Sequence, residues 1–255
     1  MRNQHILMGL LAWSLCAGAL AANSVADRLA NQNALFDEQY ESDLKAHPER
    51  ATAFGDYRYN DQLDDVSLAA VDAQHDRDQG FLKRLNAIST SGFPEQDALS
   101  HQVMARLLEQ RIADYDFKEY EMPVNQMSGP HTHLADLALA VPFDTLKQYD
   151  DYIARLHQIP RTFSQTEEVL RAGKTDGLMP VRFLLERVPG QCLGVIAADP
   201  FLLPTKKYPA SISPEDRARL TRVITETVVN EVLPAYLSFA NFISQQYAPF
   251  GRTTL

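Results

Sequence analysis

Apolar side chains recur every three or four residues near the start of the chain, which is the period of an amphipathic helix. The first such stretch predicts a helix over residues 25–44, and Pro48 is expected to end it. Its apolar positions are Val25, Leu29, Leu35, Phe36, Tyr40 and Leu44. A turn-rich segment at residues 55–61 then separates it from a second helix, which the same pattern predicts between residues 66 and 88.

A third helix is predicted over residues 97–120. Leu99, Val103 and Leu107 follow one another at fourfold spacing, with Glu/Arg pairs on the outer face. The stretch after it is broken by prolines, which lack a backbone donor and fix φ, so no regular ladder can continue there. These prolines are Pro123, Pro130 and Pro142. Helices are expected to resume at residues 144–157, 160–172 and 180–187.

The last predicted helix has the clearest start signal in the chain. Ser213 is a capping residue, Pro214 lies where its missing N–H costs nothing, and two acids follow at the positive end of the helix dipole. The apolar stripe continues to about residue 247. Pro234 interrupts it, so we expect a bend near residues 230–232 or two stacked helices.

These elements define the predicted fold class. No alternating run with hairpin-type turns is present, and we expect at most a short strand around residues 193–197. The prediction is therefore an all-α, multi-helix array with long proline-rich connections.

The first residues have the form of a secretory signal peptide. An apolar run from Ile6 to Leu20 follows a short polar start, and Ala19-Leu20-Ala21 matches the small-x-small pattern of signal peptidase. A membrane anchor is the alternative, but the run is shorter than the roughly 20 residues of a spanning helix. Lipidation at Cys16 is disfavoured because no small residue precedes it. We expect cleavage after residue 21, leaving residues 22–255 exported to the periplasm or secreted, without a transmembrane segment.

Net charge and cysteine count exclude one class of binding partner and one class of stabilising bond. The chain of 255 residues has 33 acidic and 24 basic side chains, a net charge of −9, which argues against nucleic acid as a partner. Only Cys192 remains after signal cleavage, so no internal disulfide is expected. We interpret Cys192 as a small buried side chain, the alternative being a catalytic thiol.

Known catalytic motifs are absent from the sequence. There is no His-Glu-x-x-His, no Gly-x-Ser-x-Gly, no Gly-x-x-x-x-Gly-Lys and no Gly-x-Gly-x-x-Gly. No catalytic residue and no cofactor are therefore assigned within this chain.

Two clusters remain as candidate sites. His131 and His133, with Asp136 nearby, would face the same way on an extended segment and could ligate a metal; solvent-exposed or capping histidines are the alternative. Arg58, flanked by acids at positions 56 and 61, could bind a substrate terminus, and a structural ion-pair network is the alternative.

Several segments, in their order and spacing, resemble the bacterial exported proteins of domain-of-unknown-function family 885. The segments are His47-Pro48, Gly55-Asp56-Tyr57-Arg58-Tyr59-Asn60-Asp61, Pro123–Gly129, Tyr152-Ile153-Ala154-Arg155-Leu156, Gly177-Leu178-Met179-Pro180, Asp199-Pro200-Phe201 and Val232–Tyr236. The resemblance implies a helical zinc peptidase fold with a His-Glu-x-x-His motif, of which this chain corresponds to the N-terminal half. Zinc is thus implied for the full-length family. Because Arg58, Asn125 and Gln126 are polar residues in these turn-rich segments, we expect them to contact substrate.

Two functional hypotheses follow from the resemblance. In the first, the chain is an N-terminal fragment that forms part of a helical peptide channel, lacks the zinc motif and is inactive without a C-terminal half that is missing or separately encoded. In the second, it is a stand-alone helical binding protein of the envelope without catalysis. Whether the chain is an enzyme stays open at this point. The fragment hypothesis predicts exposed apolar surface where the absent half would pack.

Overall fold

The computed structural model describes residues 24–254, and within them almost every regular element is a helix. The all-α prediction is confirmed, and the predicted signal peptide lies outside the described residues. The helices are α1 (Val25–Ala46), α2 (Pro48–Ala53), α3 (Leu68–Asn86), α4 (Glu95–Asp116), α5 (Pro130–His133), α6 (Leu137–Ala140), α7 (Leu146–Leu156), α8 (Ile159–Asp176), α9 (Arg182–Leu185), α10 (Val188–Ala198), α11 (Pro214–Thr227) and α12 (Leu233–Phe242).

Helices α1 to α4 form an N-terminal layer with a small core of its own. The Ser24 side chain accepts from the backbone N–H of Asp27 and starts α1 with a capping box. Helices α3 and α4 pack side by side, and α1 lies against α3. Their shared core consists of Leu35, Phe81, Leu85 and Leu108. Pro48 begins α2 rather than continuing α1, as its missing N–H requires.

The face of α4 that enters this core differs from the prediction. Leu99, Val103 and Leu107 are each about half exposed, whereas His101 and Leu108 are buried. The His101 ring nitrogen Nδ1 lies 2.8 Å from Oε1 of Gln32. The helix is therefore predicted correctly, but its apolar stripe faces outward.

A second, larger core is formed mainly by the helices from α6 onward, together with residues from earlier loops such as Leu63 and Val124. Helix α12 packs against both α8 and α10, and α11 packs against α7. Three aromatic rings fill the centre: the Phe163 ring centroid lies 4.8 Å from that of Tyr236 and 4.7 Å from that of Phe239. The side chains of this core come from segments spread over most of the chain.

The long C-terminal helix is interrupted where the sequence predicts a bend. A π-helical segment, Val228–Val232, joins α11 to α12. Pro234 has no N–H to donate to the carbonyl four residues earlier, and the wider π turn accommodates this loss. A second π-helical segment follows α12 at Ile243–Tyr247.

The sequence allows at most a short strand around residues 193–197, and none forms there, because this segment lies within α10. The adjacent β-branched residues Val195 and Ile196 are typical of a strand, but packing of α10 against α12 overrides that local preference. Among residues 24–254, strand-like pairing is limited to an isolated parallel bridge between Val181 and Arg252.

Two helical glycines have opposite surroundings, and alanine substitutions should therefore have opposite effects. A Cβ atom on Gly173 in α8 would lie 2.6 Å from the Glu121 carbonyl oxygen, whereas one on Gly80 in α3 meets nothing within 4 Å. Gly173→Ala should lower the free energy of unfolding by about 1–3 kcal/mol through this clash. Gly80→Ala should raise it by about 0.5–1 kcal/mol by removing backbone freedom from the unfolded chain. Urea denaturation measures both, and equal effects of the two variants would contradict the steric argument.

Candidate ligand-binding cleft

A cleft of about 1130 Å³ lies between the N-terminal layer and α8. It is bounded by the end of α1, the first half of α3, the end of α4 and the start of α8. Its charged and histidine lining consists of Lys45, His47, Arg50, Asp65, His75, Arg77, Asp78, Arg111, Asp114, Glu119 and Arg161. Its volume is slightly above the usual range of about 300–1,000 Å³ for small-ligand sites.

The base of the cleft is an ion-pair network around a buried carboxylate. Asp78 is 2% exposed, accepts from Nε2 of Gln74 at 2.9 Å and lies 3.7 Å from Nη1 of Arg111. Arg111 also pairs with Asp43 at 3.2 Å, and Arg50 lies 3.5 Å from the same carboxylate. Burial raises the pKa of Asp78, and the Arg111 charge opposes this shift. Both arginines are thereby held in place by carboxylates of the protein.

Aromatic rings form one side of the cleft. His75 stacks on Tyr115 with ring centroids 3.9 Å apart, and Tyr115 stacks on Tyr120 at 5.6 Å. The Tyr115 hydroxyl donates to Oδ1 of Asp72 at 2.7 Å. This hydrogen bond to a carboxylate raises the pKa of Tyr115 to about 12, so the phenol stays protonated at neutral pH.

The opposite side of the cleft is organised by Arg155, which is 1% exposed. Its guanidinium donates to the carbonyls of Gln62 at 2.7 Å and Pro48 at 3.2 Å and to Oγ1 of Thr52 at 2.6 Å, with the Tyr59 carbonyl 3.4 Å away. Burial lowers the pKa of Arg155, and the Glu49 charge is the largest influence that opposes this shift. Segments about 100 residues apart in the sequence are thus joined by one side chain.

An acid–histidine cluster at the edge of the cleft connects α2 to α5. His47 Nδ1 lies 3.0 Å from Oδ2 of Asp64, and the other Asp64 oxygen accepts from the Glu49 N–H at 3.1 Å. Glu49 Oε1 lies 3.8 Å from Nε2 of His133. Burial raises the pKa of Glu49. The cluster therefore holds the loop that precedes α3 against the start of α2.

The structure places the predicted substrate residues outside the cleft. Arg58 is paired with Asp56 and Glu41 on the surface, which matches the structural ion-pair interpretation, and Asp61 forms no ion pair with it among the described residues. Asn125 Oδ1 accepts the backbone N–H groups of residues 127 and 128 and so closes a turn. The Gln126 carbonyl accepts from the side chain of Gln191. These three residues are not brought together with one another or with the cleft.

The two histidines predicted as metal ligands diverge. Residues 130–133 form a helical turn rather than an extended segment, so side chains two apart point in nearly opposite directions. His131 is buried with Nε2 3.2 Å from Gln191, whereas His133 is exposed beside Glu49. The expected extended geometry is therefore wrong. Within residues 24–254, no three His, Cys, Asp or Glu side chains converge closely enough to hold a metal ion.

Cys192 is buried in the larger core, as interpreted from the sequence. Burial raises the pKa of its thiol to about 12, so the nucleophilic thiolate is not populated near neutral pH.

Comparison with known proteins places the chain in a family. The sequence pattern of the family described as "Bacterial protein of unknown function (DUF885)" matches residues 48–254. The chain belongs to this family. This confirms the resemblance that the motif segments indicated.

The DUF885 chain also has a structural relative. The crystal structure titled "the putative lipoprotein from Colwellia psychrerythraea" superposes with a TM-score of 0.75 at 19% sequence identity. The match covers 91% of this chain and 43% of that protein, so the DUF885 chain spans less than half the length of its relative. At this identity the likeness shows the fold alone. No protein of curated function matches the chain.

Sequence reasoning missed the residues that line the cleft. Lys45, Arg77 and Arg161 lie on three different helices, and nothing in the local pattern connects them. The one local signal is the polar run Gln74-His75-Asp76-Arg77-Asp78 in the middle of α3. Such a run is also typical of a solvated helix face.

Proposed function

We propose that this DUF885 protein is the helical, substrate-side part of an exported zinc-metallopeptidase-like protein, and that it binds peptide without hydrolysing it alone. The observation that carries the proposal is the 1130 Å³ cleft, which is lined by polar and charged side chains from α1, α3, α4 and α8. The predicted signal peptide supports export. Among the helices of residues 24–254, none is both long and apolar enough to span a bilayer.

The chemistry of the cleft suits a peptide main chain. Guanidinium and carboxamide groups donate to peptide carbonyls, and Arg161 and Gln62 supply such groups in the cleft lining. The carboxamide nitrogen of Gln158 is already bonded to two backbone carbonyls. The stacked pair His75 and Tyr115 offers a flat surface for an apolar side chain.

The zinc that the resemblance implies does not fit the residues described here. The imidazoles of His131 and His133 point apart, and their neighbours supply no third donor. We therefore assign hydrolysis to a C-terminal half carrying the zinc motif, encoded with this chain or separately, and derive no catalytic step from the present residues.

An exposed apolar face supports the presence of that partner. On α10 the outward positions include Gly190, Leu193 and Gly194, and Leu237 is half exposed on the adjacent helix α12. Small residues let another helix approach closely, and we propose that these exposed apolar positions on two packed helices belong to the surface that the partner covers.

A stand-alone binding protein is the second candidate function. It is favoured by the two cores, which are already formed within residues 24–254. In this case the same cleft would bind ligand without any hydrolytic partner.

The proposal is tested with the purified chain of residues 22–255. We expect mixed oligopeptides to bind at micromolar concentration in calorimetric titrations and to stay uncleaved, with or without added zinc. Lys45→Glu, at an exposed cleft residue, should weaken binding, whereas Lys207→Glu at an exposed position outside the lining should not. Cleavage by the chain alone, or the absence of any peptide binding, would refute the proposal. A monomer that unfolds cooperatively would favour the stand-alone alternative.

A further inference from the structure

Three cations in the cleft have no carboxylate partner among the described residues. Arg50 and Arg111 are paired with Asp43 and Asp78. No carboxylate oxygen lies within 4 Å of the cationic nitrogens of Lys45, Arg77 or Arg161, although all three line the cleft. They come from α1, α3 and α8, so three separate elements bring positive charge to one space.

The guanidinium groups of Arg77 and Arg161 also have donors to spare. Nη2 of Arg77 donates to Oε1 of Gln74 at 2.7 Å, while its Nε is buried without a partner. Nη2 of Arg161 donates to the Leu63 carbonyl at 3.1 Å and to nearby oxygens. Neither guanidinium forms the two parallel bonds to a carboxylate that its geometry favours.

The acidic residues of the cleft lie near these cations without forming ion pairs with them. Asp65 accepts from the Ser67 N–H at 3.0 Å and from Nε2 of Gln165 at 2.9 Å, just before the start of α3. Although burial opposes the shift, these hydrogen bonds and the Arg161 charge lower the pKa of Asp65. Asp78 is held in the buried network at the base, and the Arg77 charge acts on it from beyond ion-pair distance. Asp114 and Glu119 are exposed to solvent, where water screens their charge.

Arg161 lies beside the start of α3, and Arg77 lies at its middle. Arg161 contacts the carbonyls of Leu63 and Asp64, just before the helix, whereas Arg77 lies ten residues beyond the capping Ser67. Ten helical residues span about 15 Å, which an extended peptide covers with about four or five residues.

Resting on the proposed peptide-binding function, we infer that the cleft selects extended acidic peptides. One carboxylate binds at Arg161, a second binds at Arg77 about four or five residues away, and Lys45 contributes long-range attraction. This specificity is supported by three cations without an ion-pair partner within residues 24–254, Lys45, Arg77 and Arg161, which three separate helices bring to one cleft.

Fluorescence anisotropy with three labelled peptides tests the inference. Each peptide has about seven residues and differs only in two positions about five residues apart, which are Glu, Gln or Lys. The Glu peptide should bind about tenfold more tightly than the Gln peptide, and added salt should reduce the difference. Arg77→Gln should remove most of the preference, whereas Arg222→Gln on the exposed face of α11 should not.

Each outcome separates the inference from the proposed function. Equal binding of the Glu and Gln peptides overturns the acidic specificity and leaves peptide binding intact. Failure of all three peptides to bind overturns both. If inorganic phosphate competes at the same concentration as the Glu peptide, the cleft is a site for simple oxyanions, and the inference of acidic-peptide specificity is overturned. Arg161→Gln would also remove contacts to the loop before α3, so Lys45→Gln is the second cleft variant. Lys45→Gln should weaken binding of the Glu peptide and leave binding of the other two peptides unchanged.

Discussion

Replacing Arg155 by methionine should lower the free energy of unfolding by about 3–5 kcal/mol. Methionine is similar in length but has no donors, so the carbonyls of Pro48 and Gln62 and the hydroxyl of Thr52 lose their shared partner. A buried acceptor that loses a donor costs about 1–3 kcal/mol. Pro48 and Thr52 are buried, whereas water can reach the exposed Gln62.

Urea denaturation followed by circular dichroism measures this effect. The matched control is Arg222→Met, because Arg222 forms an exposed ion pair with Glu226 on the same helix and should contribute less than about 1 kcal/mol. An effect of Arg155→Met no larger than that of the control would mean that water replaces the guanidinium and that the segment around α2 does not depend on it.

Replacing Phe239 by alanine should lower the free energy of unfolding by about 3–5 kcal/mol. The ring is fully buried in the larger core, where it packs against Phe163 and Phe242. Its removal leaves a cavity between α8 and α12 that the surrounding backbone fills only in part.

Leu237→Ala is the control for this variant. Leu237 belongs to the same helix but is 47% exposed, so its truncation should cost less than about 1 kcal/mol in the isolated chain. Thermal unfolding with calorimetry compares the two variants. A large effect of Leu237→Ala would show instead that this side chain is covered in solution.

The sequence predicted the helices well because their signals are local. The Ser213 cap, the terminal prolines and the apolar period each act within a few residues, and the bend expected near residues 230–232 falls on the π-helical segment Val228–Val232. Pro234 imposes this bend through a missing donor whatever surrounds it.

Tertiary contacts decide the features that the sequence could not show. The period of α4 does not say which of its faces is covered, and the face that carries Leu99 is the exposed one. The same limit applies to α10, where the local sequence is compatible with a short strand and packing on α12 favours the helix.

The cleft depends on long-range arrangement even more strongly. Arg77 and Arg161 meet one cavity only because α3 crosses the start of α8. Arg58 and Asn125 lie in recognisable segments, yet their side chains are used in a surface ion pair and a turn. The recognised segment around Arg155 instead supports the loops beside the cleft.

The two separate hydrophobic cores divide the molecule into two parts that should differ in the free energy of local unfolding. The N-terminal layer encloses far fewer apolar side chains than the larger core, so its amide protons should exchange with solvent through lower-energy openings. The cleft lies on the boundary between these parts, with α3 on one side and α8 on the other. A ligand that contacts both α3 and α8 therefore couples local unfolding of the N-terminal layer to unfolding of the larger core.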